Sequence, residues 1–373
     1  MKSLKRSIIS VFFCPIVAIA DHEPPEYSFA ASRGNLPSRY VAELAPSPTF
    51  KPWIQDVNSD VVIKAKLDDI LDGDPRVAWA ALAVNKGRIV YERYLSGGKE
   101  NAYPGWSISK SVTSLSFGYA LCEGKIKSID DRADQYVSFL KNTPWGEAKL
   151  KNLLTMSSGA SRTNLNLASG DYTVGSTPFS YSIARNKLRI NQVFSRAGND
   201  ADRRDPGSNF VYNNLDTEAI GAVISSAVGQ SFQDYFSSVI WPQIDAEHKA
   251  YWLLDSDKQA ITHGFFFASL RDFGRIAQHL IDLYKRRVGS KCLQEYVREA
   301  FSPQLHVEGS VWYGFQFWIP GPKGFIAEMW GHQGQMILLN YEREKIIVLT
   351  AYRSNIFKKY RDPSNLYPWL RIP

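Results

Sequence analysis

Strand-forming segments in this chain are confined to two zones far apart in sequence, so any sheet it builds has to close over a long intervening excursion. The first zone is Ala78 to Val84, followed by Gly87 and Arg88 to Leu95, which reads as a two-strand hairpin. The second holds Gly314 to Ile319, Phe325 to Trp330, Gln335 to Asn340 and Ile346 to Tyr352, short aromatic or β-branched runs separated by Gly, Pro or charged turns. Between them the pattern is helical. Ser107 to Cys122 is small and apolar with Lys110 its only charge, and Gly124 stops it, as expected of a buried helix. Leu150 to Met156 and Thr217 to Val228 follow as helices, and Ser269 with Asp272 forms a capping box ahead of a helix over Phe273 to Tyr284. Val61 to Leu71 has helical spacing before the first zone. A sheet that is begun, left and resumed gives an α+β plan of antiparallel strands and helices, with a cleft where two lobes meet. The expected division is an α/β lobe from about 58–105 and 305–373 and a helical lobe from about 106–304.

The 373 residues, 44% hydrophobic and 22% charged, suffice for a large core and carry no mark of disorder. The first twenty residues read as a signal peptide: Lys2, Lys5 and Arg6, an apolar run from Ile8 to Ile19, and small residues at Ala18 and Ala20 before a cut after Ala20. The run is too short to anchor the mature chain in a bilayer, which takes about 20 apolar residues. Export to the periplasm or medium is expected. Residues 21–57, rich in Pro and Ser, are expected to form an arm over the surface. Loss of three cationic side chains with the leader takes the formal charge from +7 to +4. No basic run with interleaved aromatics suggests a nucleic-acid partner. After the leader only Cys122 and Cys292 remain, too few for a disulfide framework or zinc cluster; one disulfide and two separate buried thiols both stay open.

The chemistry has few places to reside. His-Glu-x-x-His, Walker, Gly-x-Gly-x-x-Gly and Gly-x-Ser-x-Gly patterns are missing, so neither metal nor cofactor is implied. Ser107-Ile108-Ser109-Lys110 opens the apolar helix, and residues i and i+3 share a helix face, so the amine can reach the hydroxyl. A helix start also supplies backbone N–H groups and a positive terminus to a developing oxyanion, and burial favours the neutral amine as base. Two other Ser-x-x-Lys matches, Ser96 to Lys99 and Ser138 to Lys141, lack that helical setting. Tyr212-Asn213-Asn214 follows the turn Pro206-Gly207-Ser208, and His332-Gln333-Gly334 opens a strand. A phenol can relay a proton beside cations, the Asn214 amide can hold a substrate carbonyl or the lysine, and Gly334 lets a strand edge approach a substrate.

Taken in order, Ser107-x-x-Lys110, Tyr212-x-Asn214 and His332-x-Gly334 resemble the three motifs of the penicillin-recognising serine hydrolases. Within that superfamily the chain is most similar to the class C β-lactamase branch with its 6-aminohexanoate-dimer hydrolases and β-lactamase-type carboxylesterases. Leu153 to Gly159, Pro206-Gly207, Tyr313 to Trp318 and Trp330 to Gly334 extend the likeness over roughly residues 75 to 355. The resemblance implies a β-lactamase/transpeptidase-like fold in which Ser107 is nucleophile, Lys110 its base and Tyr212 the proton relay. It also implies backbone N–H groups of Ser107 and Gln335 as oxyanion hole, and Asn214, His332 and Gly334 against the substrate.

The motif that is Lys-Thr-Gly in β-lactamases and penicillin-binding proteins is His332-Gln333-Gly334 here, which removes two groups that favour a β-lactam carboxylate. The function this implies is cleavage of a small ester or amide. A β-lactamase or D-peptide peptidase is the second reading, and a binding module without catalysis the third.

Overall fold

The computed structural model describes residues 40–57, 59–73, 78–160, 164–166, 171–173, 189–197, 203–321, 325–351 and 365–372. The proposed leader and most of the Ser161 to Ala197 region lie outside them. In chain order the elements are β1 (Val41–Leu44), β2 (Ile54–Gln55), α1 (Val61–Gly73), β3 (Ala78–Asn85), β4 (Arg88–Tyr94), β5 (Tyr103–Pro104), α2 (Ile108–Cys122) and α3 (Leu150–Leu154). Then come β6 (Asn164–Asn166), β7 (Asp171–Thr173), α4 (Ile190–Ala197), α5 (Asn214–Val228), β8 (Ala250–Leu253), β9 (Phe266–Ala268), α6 (Leu270–Tyr284) and α7 (Lys291–Ala300). The chain closes with β10 (Leu305–Glu308), β11 (Val311–Tyr313), β12 (Trp318–Ile319), β13 (Ile326–Trp330), β14 (Met336–Asn340), β15 (Lys345–Ala351) and α8 (Tyr367–Arg371). A few shorter helical turns fall between them.

The two strand zones do meet in one nine-stranded sheet, ordered β10-β11-β12-β13-β14-β15-β3-β4-β2. The seam joins β15 to β3 in antiparallel register, with Val348 opposite Leu82. Among the described strands only β2, on β4, pairs parallel. Both faces of the centre are buried, so side chains alternate between two cores. Ala80, Leu82, Val84, Ile346 and Val348 face one core; Ala81, Ala83, Ile347 and Leu349 face the other, beneath α1 and α8. The antiparallel α+β architecture expected from the sequence is the one observed.

Several details differ from the sequence reading. The 21–57 region contributes β1, which pairs with β8, and β2; its pairing partners lie too far along the chain for a local pattern to reveal them. A second sheet, β1-β8-β9-β5, had no clear sequence signal because its strands are two to four residues long. Gly314 to Phe317 is a tight turn rather than strand, closed by the Gly314 N–H on the Phe317 carbonyl at 2.8 Å. Helix α5 starts at Asn214, earlier than Thr217, because the Asn213 side chain accepts the Leu215 N–H at 3.0 Å as N-cap. The Ser269 cap is as expected, its hydroxyl accepting the Asp272 N–H. Of the two states open for the cysteines, the structure has the disulfide: Cys122 at the end of α2 is bonded to Cys292 on α7, with Cα atoms 5.6 Å apart.

Candidate active site

Ser107 caps the N-terminus of α2 and is partly exposed, while the helix behind it is buried almost throughout. Trp106 before it takes φ 48°, a left-handed conformation that a bulky side chain adopts only when its surroundings hold it there. Its buried indole packs on Phe265 at 5.2 Å. One turn into the helix, the Lys110 side chain is 1% exposed, with Nζ 2.8 Å from Ser107 Oγ and 2.7 Å from the His263 carbonyl oxygen. Burial pushes the lysine down to about 7, and the negative charge of Glu218 opposes that shift. The competing Ser-x-x-Lys matches lie at the surface, with Lys99 and Lys141 exposed.

Tyr212 is delivered by the loop ahead of α5, which is laced to the segment Met156–Gly159. The Val211 N–H donates to the Met156 carbonyl at 2.8 Å, the Gly207 N–H to Ser157 at 2.7 Å, and the Arg204 N–H to Gly159 at 2.8 Å. Asp216, fully buried on α5, accepts the Ser158 hydroxyl at 2.7 Å and the Trp145 indole N–H at 3.0 Å. These bonds explain why Leu153 to Gly159 accompanies the tyrosine motif. The Tyr212 ring centroid is 5.1 Å from Lys110 Nζ and 5.6 Å from the stacked Trp318 ring. Asn214 is buried in the first turn of α5.

His332-Gln333-Gly334 forms the short helical turn between β13 and β14, not the opening of a strand. Gly334 has φ 105°, so its glycine serves the turn's backbone conformation rather than a strand edge. The turn rests on Gly105, and the exposed His332 meets the Trp106 ring edge-on at 6.0 Å. The Gln335 carbonyl accepts the Gly331 N–H at 2.8 Å, while its side-chain amide bonds the main chain of Ala351 on β15. The three motifs are thus gathered around Ser107.

Two neighbours of Lys110 carried no sequence signal, because each acts through a partner distant in the chain, and a third residue, Gln316, lies in the Tyr313 to Trp318 segment without having been singled out. Glu218 on α5 and His263 in the β8–β9 loop are both buried and hydrogen-bonded to each other behind Lys110. Gln316, at φ 65°, accepts the Ser111 hydroxyl on its carbonyl at 2.6 Å and donates its amide to the Leu153 carbonyl at 2.9 Å. It thereby ties the β11–β12 turn to α2 and α3. A cavity of about 600 Å³ lies along α5, lined by Glu218, Gly221 and Thr262 among others; Ser107, Lys110 and Tyr212 do not line it. Among the described residues no cluster of His, Cys, Asp or Glu is arranged to hold a metal ion.

A serine at a helix N-terminus with a buried lysine on its hydroxyl, set beside an antiparallel sheet, defines the class of β-lactamase/transpeptidase-like folds. The beta-lactamase family profile matches residues 64–362, and the chain belongs to that family, whose members are serine hydrolases. This bears out the resemblance read from the three motifs. The chain is 21% identical to a beta-lactamase of Pseudomonas fluorescens, over 50% of its own length but only 49% of that protein's. It is 22% identical to the 6-aminohexanoate-dimer hydrolase of Paenarthrobacter ureafaciens over 86% of this chain and 92% of that one. Among solved structures, a Bacillus anthracis protein provisionally assigned as a 6-aminohexanoate-dimer hydrolase superposes with TM-score 0.76 at 21% identity, covering 94% of this chain and 96% of the other.

Proposed function

We propose that this protein hydrolyses a small ester or amide through an acyl-enzyme on Ser107. The observation that carries the reading is the 2.8 Å contact between Ser107 Oγ and the Nζ of a lysine that burial brings down to about 7. A neutral amine can give one N–H to the His263 carbonyl and turn its lone pair to the serine hydroxyl. Lys110 then takes the Ser107 proton as Oγ attacks the substrate carbonyl, and the N–H groups of Ser107 and Gln335 receive the oxyanion. Tyr212, facing the lysine, passes a proton to the leaving alcohol or amine. Water repeats the sequence to release the acid. Asn214, His332 and Gly334 border the substrate in this reading, and the aromatic neighbours of Tyr212 favour an apolar acyl or leaving group.

We also propose that residues 1–20 direct export, which the Cys122–Cys292 disulfide supports, since such bonds persist in oxidising compartments.

The test is intact mass after incubation with a fluorophosphonate and, separately, with a penicillin, comparing wild type with Ser107→Ala. A Ser107-dependent adduct from the fluorophosphonate alone is expected. Stable adducts from both would favour a penicillin-directed enzyme, and no adduct from either, in folded protein, would leave a binding module.

A further inference from the structure

Lys110 is held from behind by a buried pair, His263 and Glu218, of which the chemistry above uses only the His263 carbonyl. Glu218 Oε1 accepts the His263 backbone N–H at 2.9 Å and also meets Nδ1 of the same histidine. The carboxylate therefore grips both the main chain and the ring of the residue whose carbonyl receives Lys110. The loop is pressed against α5 by a second pair of contacts. Thr262 Oγ1 donates to the Thr217 carbonyl at 3.2 Å, and a β-carbon on Gly221 would meet Thr262 at 2.5 Å, so only glycine allows that approach. On the other side, Thr113 of α2 donates its hydroxyl to the Thr262 carbonyl at 3.0 Å. Helices α2 and α5 thus clamp the loop whose carbonyl receives Lys110.

We infer that Glu218 is the positioning residue of the site: through His263 it fixes the carbonyl that orients Lys110, and it supplies the buried negative charge that balances the lysine once protonated. This rests on the proposed acyl-enzyme reading. During acylation Lys110 gains the Ser107 proton and a positive charge inside the core, where an unbalanced charge is costly. The titratable groups facing it are Tyr212, His263 and Glu218. Burial lowers His263, and Glu218 is the one carboxylate of the three, so it is the group able to balance a positive charge on Lys110. The same charge opposes the fall in the lysine's pKa caused by burial.

The inference is tested with Glu218→Gln, which keeps shape and an acceptor oxygen but removes the charge, and with His263→Ala, which keeps the main-chain bond to Glu218. Ser107→Ala is assayed alongside on a chromogenic short-chain ester. Glu218→Gln should lower kcat about tenfold with KM within about twofold, and move the acid limb of kcat/KM down by about one pH unit. Carbon-13 titration of the lysine side chains, with Lys110 assigned by Lys110→Arg, should show the same displacement. A purely structural role would leave that limb and titration in place. If Glu218→Gln folds poorly, His263→Ala carries the same rate readout, with a loss of about tenfold in fluorophosphonate labelling. Folded variants with wild-type labelling, pH profile and Lys110 titration would overturn the inference while leaving Ser107 in place. Full turnover by Ser107→Ala would instead overturn the acyl-enzyme reading, and the lysine titration would still decide whether Glu218 governs Lys110.

Discussion

Gly331 and Gly105 approach so closely that a β-carbon on Gly331 would lie 2.3 Å from the Gly105 carbonyl oxygen. Neither backbone can yield without moving Ser107 or the turn that ends at Gln335. Gly331→Ala is expected to slow Ser107 labelling by at least about tenfold and to cost about 1–3 kcal/mol in chemical denaturation. Unchanged labelling would show that the turn can shift without disturbing the serine.

In the proposed reaction Lys110 can act as a base only when neutral, and burial brings it down to about 7. Its neutral fraction rises with pH, so kcat/KM should climb about tenfold per unit below that value and level off above it. Lys110→Arg, which stays charged at any working pH, should lose about 100-fold or more. Steady-state kinetics from pH 5 to 9 checks both.

Asp216 is buried, and its carboxyl is pushed up to about 7, mainly by desolvation. A folded-state value above the unfolded one means its stabilising contribution is complete below about 4 and is lost as pH rises through about 7. Relative to Asp216→Asn, which does not titrate, the wild type should therefore lose about 1–2 kcal/mol between pH 5.5 and 8.5. Denaturation curves of the two proteins at both pH values give the difference directly.

The Cys122–Cys292 bond closes a segment with a sequence separation of 170 and ties α2 to α7. Replacing both cysteines with serine should cost about 3–5 kcal/mol, since the unfolded chain regains a long open loop. Equal stability with and without reductant in the wild type would contradict this.

The sequence by itself determined what depends on near neighbours. Period-two runs marked β3, β4 and β13 to β15, and the Ser269 cap and the Gly124 stop marked helix ends, because these are decided within a few residues. The Ser107-x-x-Lys110 spacing already placed amine and hydroxyl on one helix face. The three ordered motifs named the superfamily, since few folds bring such a set together.

Tertiary structure alone decided what depends on long-range contact. The strands β5, β8 and β9 are too short to show a period, and exist because they pair with each other and with β1. The choice between a disulfide and two thiols hung on how α2 lies against α7. That Lys110 is 1% exposed while Lys99 and Lys141 are exposed follows from packing, which the tetrapeptide cannot encode. Glu218 and His263 stand 45 residues apart and were silent in the sequence. A carboxylate on a helix and a histidine in a loop become one device only when α2 and α5 close on the loop between them.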